Sequence, residues 1–143
     1  MNIYVGTDII EVKRIQDAVE NTSGFKEIVY SKTEIENIDR IKNNIKYQRY
    51  AGRFAAKEAI YKAMSKILTL NNLSISFGDV EIINDINLKN RPVVHFLNKD
   101  INDLIEKLDI QIDISISHIN ENATAVAIVK QNKEWYKWVK SII

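Results

Sequence analysis

Four charged side chains lie close together in the segment GRFAAKEAIYKAM, residues 52–64: Arg53, Lys57, Glu58 and Lys62. Residues four apart share one face of a helix. Glu58 and Lys62 therefore lie on one stripe, and Arg53 and Lys57 on the next. One interpretation is a solvated i,i+4 ion pair, which contributes only about 0.3–0.5 kcal/mol. The other is a site where the glutamate holds a metal ion and the lysine neutralises an anion bound to it.

The small residues of this segment indicate that something packs closely against the predicted helix. Gly52 costs roughly 1 kcal/mol in a helix interior relative to alanine. The alanines that follow are too small to fill much core by themselves: Ala55, Ala56, Ala59 and Ala63. We therefore expect another backbone or a ligand to lie against this face.

A second carboxylate, Asp8, lies within the predicted strand IYVGTDII at residues 3–10. It could simply cap the next helix, since an acid near a helix N-terminus is favoured by the dipole. Paired with Glu58, it would instead give two carboxylates from distant segments, which suits Mg²⁺ better than Ca²⁺ because Ca²⁺ takes six to eight oxygens. Lys62 would then neutralise a phosphate on that metal. This combination is typical of phosphoryl transfer, where positioning and charge stabilisation supply most of the catalysis.

His118 ends the alternating segment QIDISISH, residues 111–118, on the same face as three isoleucines. A histidine on such a face is most simply a hydrogen-bonded core residue. Together with Arg53 and Lys57 it could instead hold further anionic groups.

The elements that must position these residues follow from periodicity and turn signals. We predict an α+β fold with an antiparallel sheet. In the first half the predicted elements are a strand over 3–10, a helix over 11–19, a helix onset at 31–34 and a long helix over 47–68. The onset at 31–34 has the Ser-x-x-Glu form of a capping box. In the second half they are strands over 77–83 and 92–97, a helix over 98–108, a strand over 111–118, a hairpin at 120–122 and a strand over 123–130. The tail EWYKWVKSII is interpreted as a terminal helix docked on the core, with a partner-binding helix as the alternative.

Length and composition exclude several classes of protein. The 143 residues predict a single domain, 1–143, in which about 132–143 form a C-terminal helical extension. A net charge of +1 gives no reason to expect nucleic-acid binding. The absence of cysteine excludes disulfides, thiolate nucleophiles and cysteine-ligated zinc. No apolar segment is long enough to span a membrane and the N-terminus has no apolar leader, so we expect a cytoplasmic protein without membrane association.

Three blocks of the sequence resemble one known family. They are GTDIIEVKRI, AGRFAAKEAIYKAM and ISISHINENATAVAIV, beginning at residues 6, 51 and 114. Their order and wording resemble holo-acyl-carrier-protein synthase, the small stand-alone 4'-phosphopantetheinyl transferase. The central block is the most specific, because it matches the family's Gly-Arg-Phe-Ala-Ala-Lys-Glu-Ala run almost letter for letter. The resemblance implies a single-domain 4'-phosphopantetheinyl transferase fold, with an antiparallel sheet packed on a long helix.

The resemblance also implies a reaction. The 4'-phosphopantetheine group of coenzyme A would be transferred to a serine of apo-acyl carrier protein, with release of 3',5'-ADP, in support of fatty acid and lipid biosynthesis. By this likeness Asp8 and Glu58 hold Mg²⁺, Lys62 contacts the transferring phosphate, and these three form the catalytic set. The proton of the serine would go to Glu58 or to a metal-bound water, and the sequence leaves that choice open.

Further residues match positions that contact coenzyme A in the family. Arg53, Lys57 and His118 are candidates for the 3'-phosphate and the adenosine, and Pro92 for the side of the adenine. Relatives carry a glycine-bearing loop after the long helix, where this chain has SKILTLNN. Ser65 of that segment could supply a phosphate contact in its place.

The resemblance implies two kinds of protein partner. Arg14 and Phe25 match positions that face the acidic helix of acyl carrier protein, and Lys13 and Lys26 would strengthen that basic patch. The family also implies a homotrimer, with each active site built between two subunits.

Two alternatives remain at this point. The chain could be a non-catalytic module of the same fold that binds coenzyme A or a carrier protein without turnover. It could also be a related transferase for the carrier domains of larger synthases, although that class usually carries two fused copies of the fold.

Overall fold

The computed structural model describes residues 1–134. In chain order these residues form β1 (Asn2–Glu11), α1 (Val12–Asn21), α2 (Phe25–Val29), α3 (Lys32–Asp39), α4 (Ile45–Leu70), β2 (Val80–Asp85), β3 (Arg91–Phe96), α5 (Lys99–Lys107), β4 (Ile110–His118) and β5 (Asn122–Gln131). Of the C-terminal helical extension predicted over about 132–143, residues 135–143 lie outside the described residues.

The strands form two antiparallel sheets. β5 lies in the centre of the larger sheet, between β1 and β4, while β2 and β3 form a separate pair. In this register Asp8 is opposite Ala125, and His118 is opposite Ala123. The middle strand therefore sets the positions of both candidate site residues, which come from opposite ends of the sequence.

α4 packs across one face of the larger sheet. Both sides of this contact are built from small buried residues, which let a helix and a sheet approach closely: Ala55, Ala59 and Ala63 on the helix, and Ala123, Ala125 and Ala127 on β5. The contact is closest at Gly6 of β1, where a β-carbon would overlap the carbonyl oxygen of Ala59. The expectation of a close neighbour also holds at Gly52, where a β-carbon would lie 2.9 Å from Ile116.

A second buried cluster joins α1, α2 and α3 to the first half of α4. Its centre is a group of tyrosines, in which the Tyr30 hydroxyl donates a 2.7 Å hydrogen bond to the Tyr50 carbonyl. Gly24, with φ at +82°, makes the tight connection between α1 and α2. This cluster holds the α1–α2 corner against the long helix.

The predicted fold class is confirmed, and so are most of the predicted elements. The capping box is present: Ser31 accepts from the Glu34 N–H, and Glu34 accepts from the Ser31 N–H. The strand predicted over 77–83 begins later, at Val80, because Phe77–Asp79 form a 3₁₀ turn. Asp8 does not cap α1, since the helix begins at Val12 with Glu11 at the N-cap.

Candidate active site

Asp8, Glu58 and Lys62 lie together where β1 crosses α4. The Lys62 ammonium donates to the Thr7 carbonyl at 2.9 Å and to the Asp8 carboxylate at 3.3 Å. Glu58 lies one turn earlier on the same helix face. Partial burial raises the pKa of Glu58, the nearby Asp8 charge raises it further, and Lys62 lowers it. The two carboxylates are therefore close enough to repel each other, with a lysine beside them.

The local sequence explains why Asp8 arrives at this point. Gly6 lets β1 contact the α4 backbone at Ala59, one residue after Glu58. On the other side of the strand, the Thr124 hydroxyl donates a 2.9 Å hydrogen bond to the Asp8 carbonyl. The strand is thus fixed from both sides, and the Asp8 side chain is directed toward the helix, with only 17% of it exposed.

The donor set of this pair fits Mg²⁺. Besides burial, the Asp8 charge helps to raise the pKa of Glu58, and a hard divalent cation would offset this repulsion. Mg²⁺ needs only one or two carboxylates, because water and substrate phosphates complete its shell. In residues 1–134 no group of three or more His, Asp or Glu side chains converges on one point. Asp8 and Glu58 would therefore hold the ion by themselves on the protein side.

A groove of about 430 Å³ begins at Glu58 and runs between α2 and the turn that precedes β2. Its walls are mainly apolar: Ile28, Tyr61, Ile75, Phe77, Gly78 and Val80. Of the carboxylate pair, Glu58 lines the groove and Asp8 does not. The groove could accept a narrow, largely uncharged chain whose charged end lies at Glu58.

Lys57 lines the groove, but its ammonium is held within the protein, and its contact with coenzyme A stays a prediction. Its ammonium is buried and donates to the Glu34 carboxylate at 2.7 Å, the Val29 carbonyl at 2.7 Å and the Phe77 carbonyl at 3.3 Å. An ammonium has three protons, so this set leaves none for a ligand. Burial lowers the pKa of Lys57, while Glu34 opposes the shift. Lys57 therefore ties α2, α3 and the 3₁₀ turn to α4.

A second pocket, of about 100 Å³, brings together Arg53, Pro92 and His118, which were predicted from the resemblance. Arg53 donates to the Asn84 side-chain carbonyl at 2.9 Å. The His118 Nδ1 lies 2.7 Å from the Gln48 side-chain oxygen, which places a proton on Nδ1. The other ring nitrogen, Nε2, is then the one left to meet a ligand.

The second pocket is positively charged. Burial lowers the pKa of His118, and the Arg49 and Arg53 charges lower it further. Burial also lowers the pKa of Arg53; the Glu34 charge opposes this, and the Arg49 charge adds to it. Cations that disfavour one another in this way make a suitable environment for an anion.

Sequence reasoning missed three residues of this pocket or its rim: Gln48, Arg49 and Asn84. Arg49 could have been found, because it lies four residues before Arg53 and so shares its helix face. Gln48 and Asn84 carried no signal, since each becomes relevant only through the partner that folding brings to it.

The residues predicted for the carrier protein lie on α1 and α2. Arg14 is exposed, and Phe25 packs against the rings of Tyr30 and Phe54. Lys13 and Lys26 each form an ion pair within the chain, with Asp17 at 2.9 Å and Asp39 at 2.6 Å. Ser65 donates to the Lys62 carbonyl at 2.9 Å, one turn after Lys62. The binding roles of all five remain predictions.

Comparison with known proteins identifies the family. Residues 4–129 match the family model described as the 4'-phosphopantetheinyl transferase superfamily. The chain belongs to this superfamily. The transferase chain is 42% identical over 130 residues to the holo-[acyl-carrier-protein] synthase of Fusobacterium nucleatum, covering 90% of this chain and 99% of the relative. It is 37% identical over 130 residues to the enzyme of the same name from Clostridium tetani, covering 91% and 97%.

A solved structure supports the same family. The holo-(acyl-carrier-protein) synthase of Bacillus anthracis, in complex with CoA (3',5'-ADP), superposes on this transferase chain with a TM-score of 0.69. The two are 28% identical, and the match covers 90% of this chain and 96% of the other. The family and the fold expected from the sequence blocks are thus confirmed. In the part of the chain that the structure describes, no helix has the length and apolarity to cross a membrane.

Proposed function

We propose that this chain is a holo-[acyl-carrier-protein] synthase. It transfers the 4'-phosphopantetheine group of coenzyme A to a serine of apo-acyl carrier protein and releases 3',5'-ADP. The observation that carries this proposal is the pair Asp8 and Glu58 beside Lys62, with Glu58 lining an apolar groove, in a chain whose relatives have that activity in their names.

Each residue of the pair has a role in the transfer. Asp8 and Glu58 hold Mg²⁺, which when bound stabilises the charge that builds up on a diphosphate as its bridging bond breaks. Lys62 contacts the transferring phosphate and offsets its charge. The serine oxygen forms a bond to the phosphorus that carries pantetheine, the bond from that phosphorus to the ADP oxygen breaks, and Glu58 is our candidate to take the serine proton.

The two pockets accommodate the two ends of coenzyme A. The pantetheine arm is a narrow chain with two amides, which suits the largely apolar groove beside Glu58. The adenosine 3'-phosphate suits the cationic pocket of Arg53, Pro92 and His118. Ser65, one turn beyond Lys62, supplies a further hydroxyl near the phosphates.

The carrier protein docks on the α1–α2 corner. Arg14 is the exposed charge of this surface, Phe25 supplies the apolar contact, and Lys13 and Lys26 add positive potential around them. A basic surface mainly speeds the encounter with an acidic partner and fixes its orientation.

The working form is a homotrimer with active sites at its subunit interfaces. The larger sheet packs on α4 with one face, while its other face exposes large apolar side chains. Ile3, Val5 and Ile9 of β1 are 63%, 63% and 68% exposed, and Ile128 of the neighbouring strand is 48% exposed. A contiguous apolar patch of this kind typically marks a protein interface. We assign the enzyme to the cytoplasm and to fatty acid biosynthesis, where carrier protein and coenzyme A are used.

The decisive experiment is incubation with apo-acyl carrier protein, coenzyme A and Mg²⁺, followed by mass spectrometry of the carrier. The expected result is a gain of one phosphopantetheine on the serine, lost when Mg²⁺ is chelated. An unchanged carrier mass, with coenzyme A still bound to the protein, would favour the non-catalytic binding module instead. Faster modification of an excised synthase domain than of the free carrier would identify the related class of transferase.

A further inference from the structure

Arg49 has no assigned role, yet it lines the cationic pocket on the same face of α4 as Arg53. Its Nε atom is buried and has no hydrogen-bond partner in the described part of the chain. A buried guanidinium nitrogen without an acceptor is costly, because desolvation of a polar group is offset only when the group is hydrogen-bonded. Such an atom in a binding pocket indicates that its acceptor arrives with a ligand.

None of the neighbours of Arg49 in the described part of the chain accepts a hydrogen bond from its Nε. The short hydrogen bonds of Arg53 and of His118 Nδ1 go instead to neutral amides, those of Asn84 and Gln48. Glu34 is the buried acid whose charge opposes the lowering of the Arg53 pKa by burial. Its carboxylate is paired with the Lys57 ammonium at 2.7 Å. Two guanidinium groups and an imidazole therefore line the pocket. None of its lining residues is a carboxylate.

This donor set has a specific preference among anions. Two guanidinium groups can bond a tetrahedral dianion from two sides, and arginine bonds phosphate oxygens in a bidentate manner. The volume of about 100 Å³ accommodates one such group. A terminal phosphomonoester, which ends in the pocket, suits this volume.

We propose that Arg49 determines the preference of this enzyme for a donor with a terminal phosphomonoester on its ribose, by binding that phosphate together with Arg53 and His118. The inference rests on the proposed function and adds to it a specificity-determining residue. Coenzyme A carries such a phosphate on the 3' position, and dephospho-coenzyme A lacks it while retaining the transferred group. The two donors therefore differ only in the phosphate that Arg49 would bind.

The test compares these two donors in wild type, Arg49→Ala and Arg49→Lys, with apo-carrier protein as acceptor. Arg49→Ala should lower kcat/KM for coenzyme A by about tenfold to hundredfold, the loss expected for a hydrogen bond between charged groups. Its kcat/KM for dephospho-coenzyme A should stay within about twofold of wild type. Arg49→Lys should recover part of the preference, because it keeps the charge and loses the bidentate geometry. Equal losses for both donors in Arg49→Ala would overturn the proposal.

Arg40→Ala is the matched control, because Arg40 is an exposed arginine at the end of α3 that does not line the pocket. It should leave the ratio between the two donors unchanged. A change in Arg40→Ala as large as in Arg49→Ala would show that overall charge, rather than the pocket, sets the preference, and would also overturn the proposal.

A binding measurement separates this inference from the proposed function. Calorimetry with 3',5'-ADP and 5'-ADP needs neither turnover nor a carrier protein. Wild type should bind 3',5'-ADP more tightly, and Arg49→Ala should lose that difference while binding 5'-ADP as before. Retention of the full difference in Arg49→Ala would refute the role of Arg49 even if the transferase activity is confirmed. Failure of wild type to modify the carrier would refute the proposed function and leave the binding result standing.

Discussion

Gly6 of β1 lies directly against the backbone of Ala59 in α4, with no room between them for a β-carbon. Asp8 follows two residues later on the strand, and Glu58 precedes Ala59 on the helix. The contact between a glycine and an alanine therefore sets the separation of the two carboxylates. Neither of these small residues takes part in chemistry, yet the geometry of the site depends on both.

Replacement of Gly6 by alanine should force β1 away from α4. Overpacking of a closely packed core typically costs about 1–3 kcal/mol, and we expect a loss of that size in urea unfolding. Turnover should also fall, because Asp8 moves with the strand. Gly78→Ala is the control for stability, since a β-carbon there would have its nearest neighbour at 3.9 Å. Equal stability of Gly6→Ala and wild type would show that β1 can move away from α4 at little cost, which would contradict this prediction.

Replacement of Lys57 by methionine should strongly destabilise the fold. The Glu34 carboxylate would then be buried without its counter-charge, and breaking a buried ion pair in this way costs about 3–5 kcal/mol. The double variant Glu34→Gln, Lys57→Met should recover much of the loss, because it removes the uncompensated charge. Denaturant unfolding of wild type, the single variant and the double variant measures both effects. Lys13→Ala, from an exposed ion pair, should have no measurable effect on stability.

Replacement of Glu58 by glutamine should reduce turnover by about 10²–10⁴-fold, the range for loss of a positioned acid or base. The fold should persist, because Glu58 forms no hydrogen bond or ion pair among residues 1–134 that the amide would break. The carrier mass assay and circular dichroism test the two statements. Glu106→Gln, on the exposed face of α5, should behave like wild type. Near-full activity of Glu58→Gln would show that the metal assignment is wrong.

Replacement of Arg14 by alanine should raise the KM for carrier protein about five- to tenfold, as expected for loss of roughly 1 kcal/mol at a charged interface. The KM for coenzyme A should not change, because Arg14 lies on α1 and lines neither pocket. Steady-state kinetics with each substrate varied in turn gives both values, and high salt should reduce the difference. Lys99→Ala, an exposed lysine on α5, is the control. An increase in the KM for coenzyme A would place Arg14 at the donor site.

Replacement of Val5 by aspartate should dissociate the proposed trimer. The new charge would lie in the centre of the apolar sheet face, where it would be desolvated on assembly. Sedimentation velocity should show a trimer for wild type and a monomer for the variant, with loss of activity because each site needs two subunits. Leu97→Asp, which also places a charge at an exposed apolar residue but after β3, should remain a trimer. A monomeric wild type that is fully active would contradict the proposed assembly.

The sequence by itself determined the family, the α+β class and most of the elements. These conclusions depend on local signals: the alternation that defines β4, the capping box of Ser31 and Glu34, and the spacing that places Glu58 and Lys62 on one helix face. Such signals involve residues that are close in the sequence, so they can be recognised without knowledge of the tertiary structure. The strand predicted over 77–83 begins only at Val80, because the hydrogen bonds between Ser76 and Asp79 close a 3₁₀ turn over Phe77–Asp79.

Tertiary packing decided what each charged residue does. Arg53, Lys57 and Arg49 share similar chemistry and lie within three turns of one helix, but Lys57 points into the core against Glu34, while the two arginines line a pocket with His118. Helical spacing shows which residues share a face and does not show what covers that face. The element that packs over Lys57 is α3, whereas residues of β2, β3 and β4 lie over the arginines. Burial and the available partners therefore separate a structural lysine from the arginines that face a ligand.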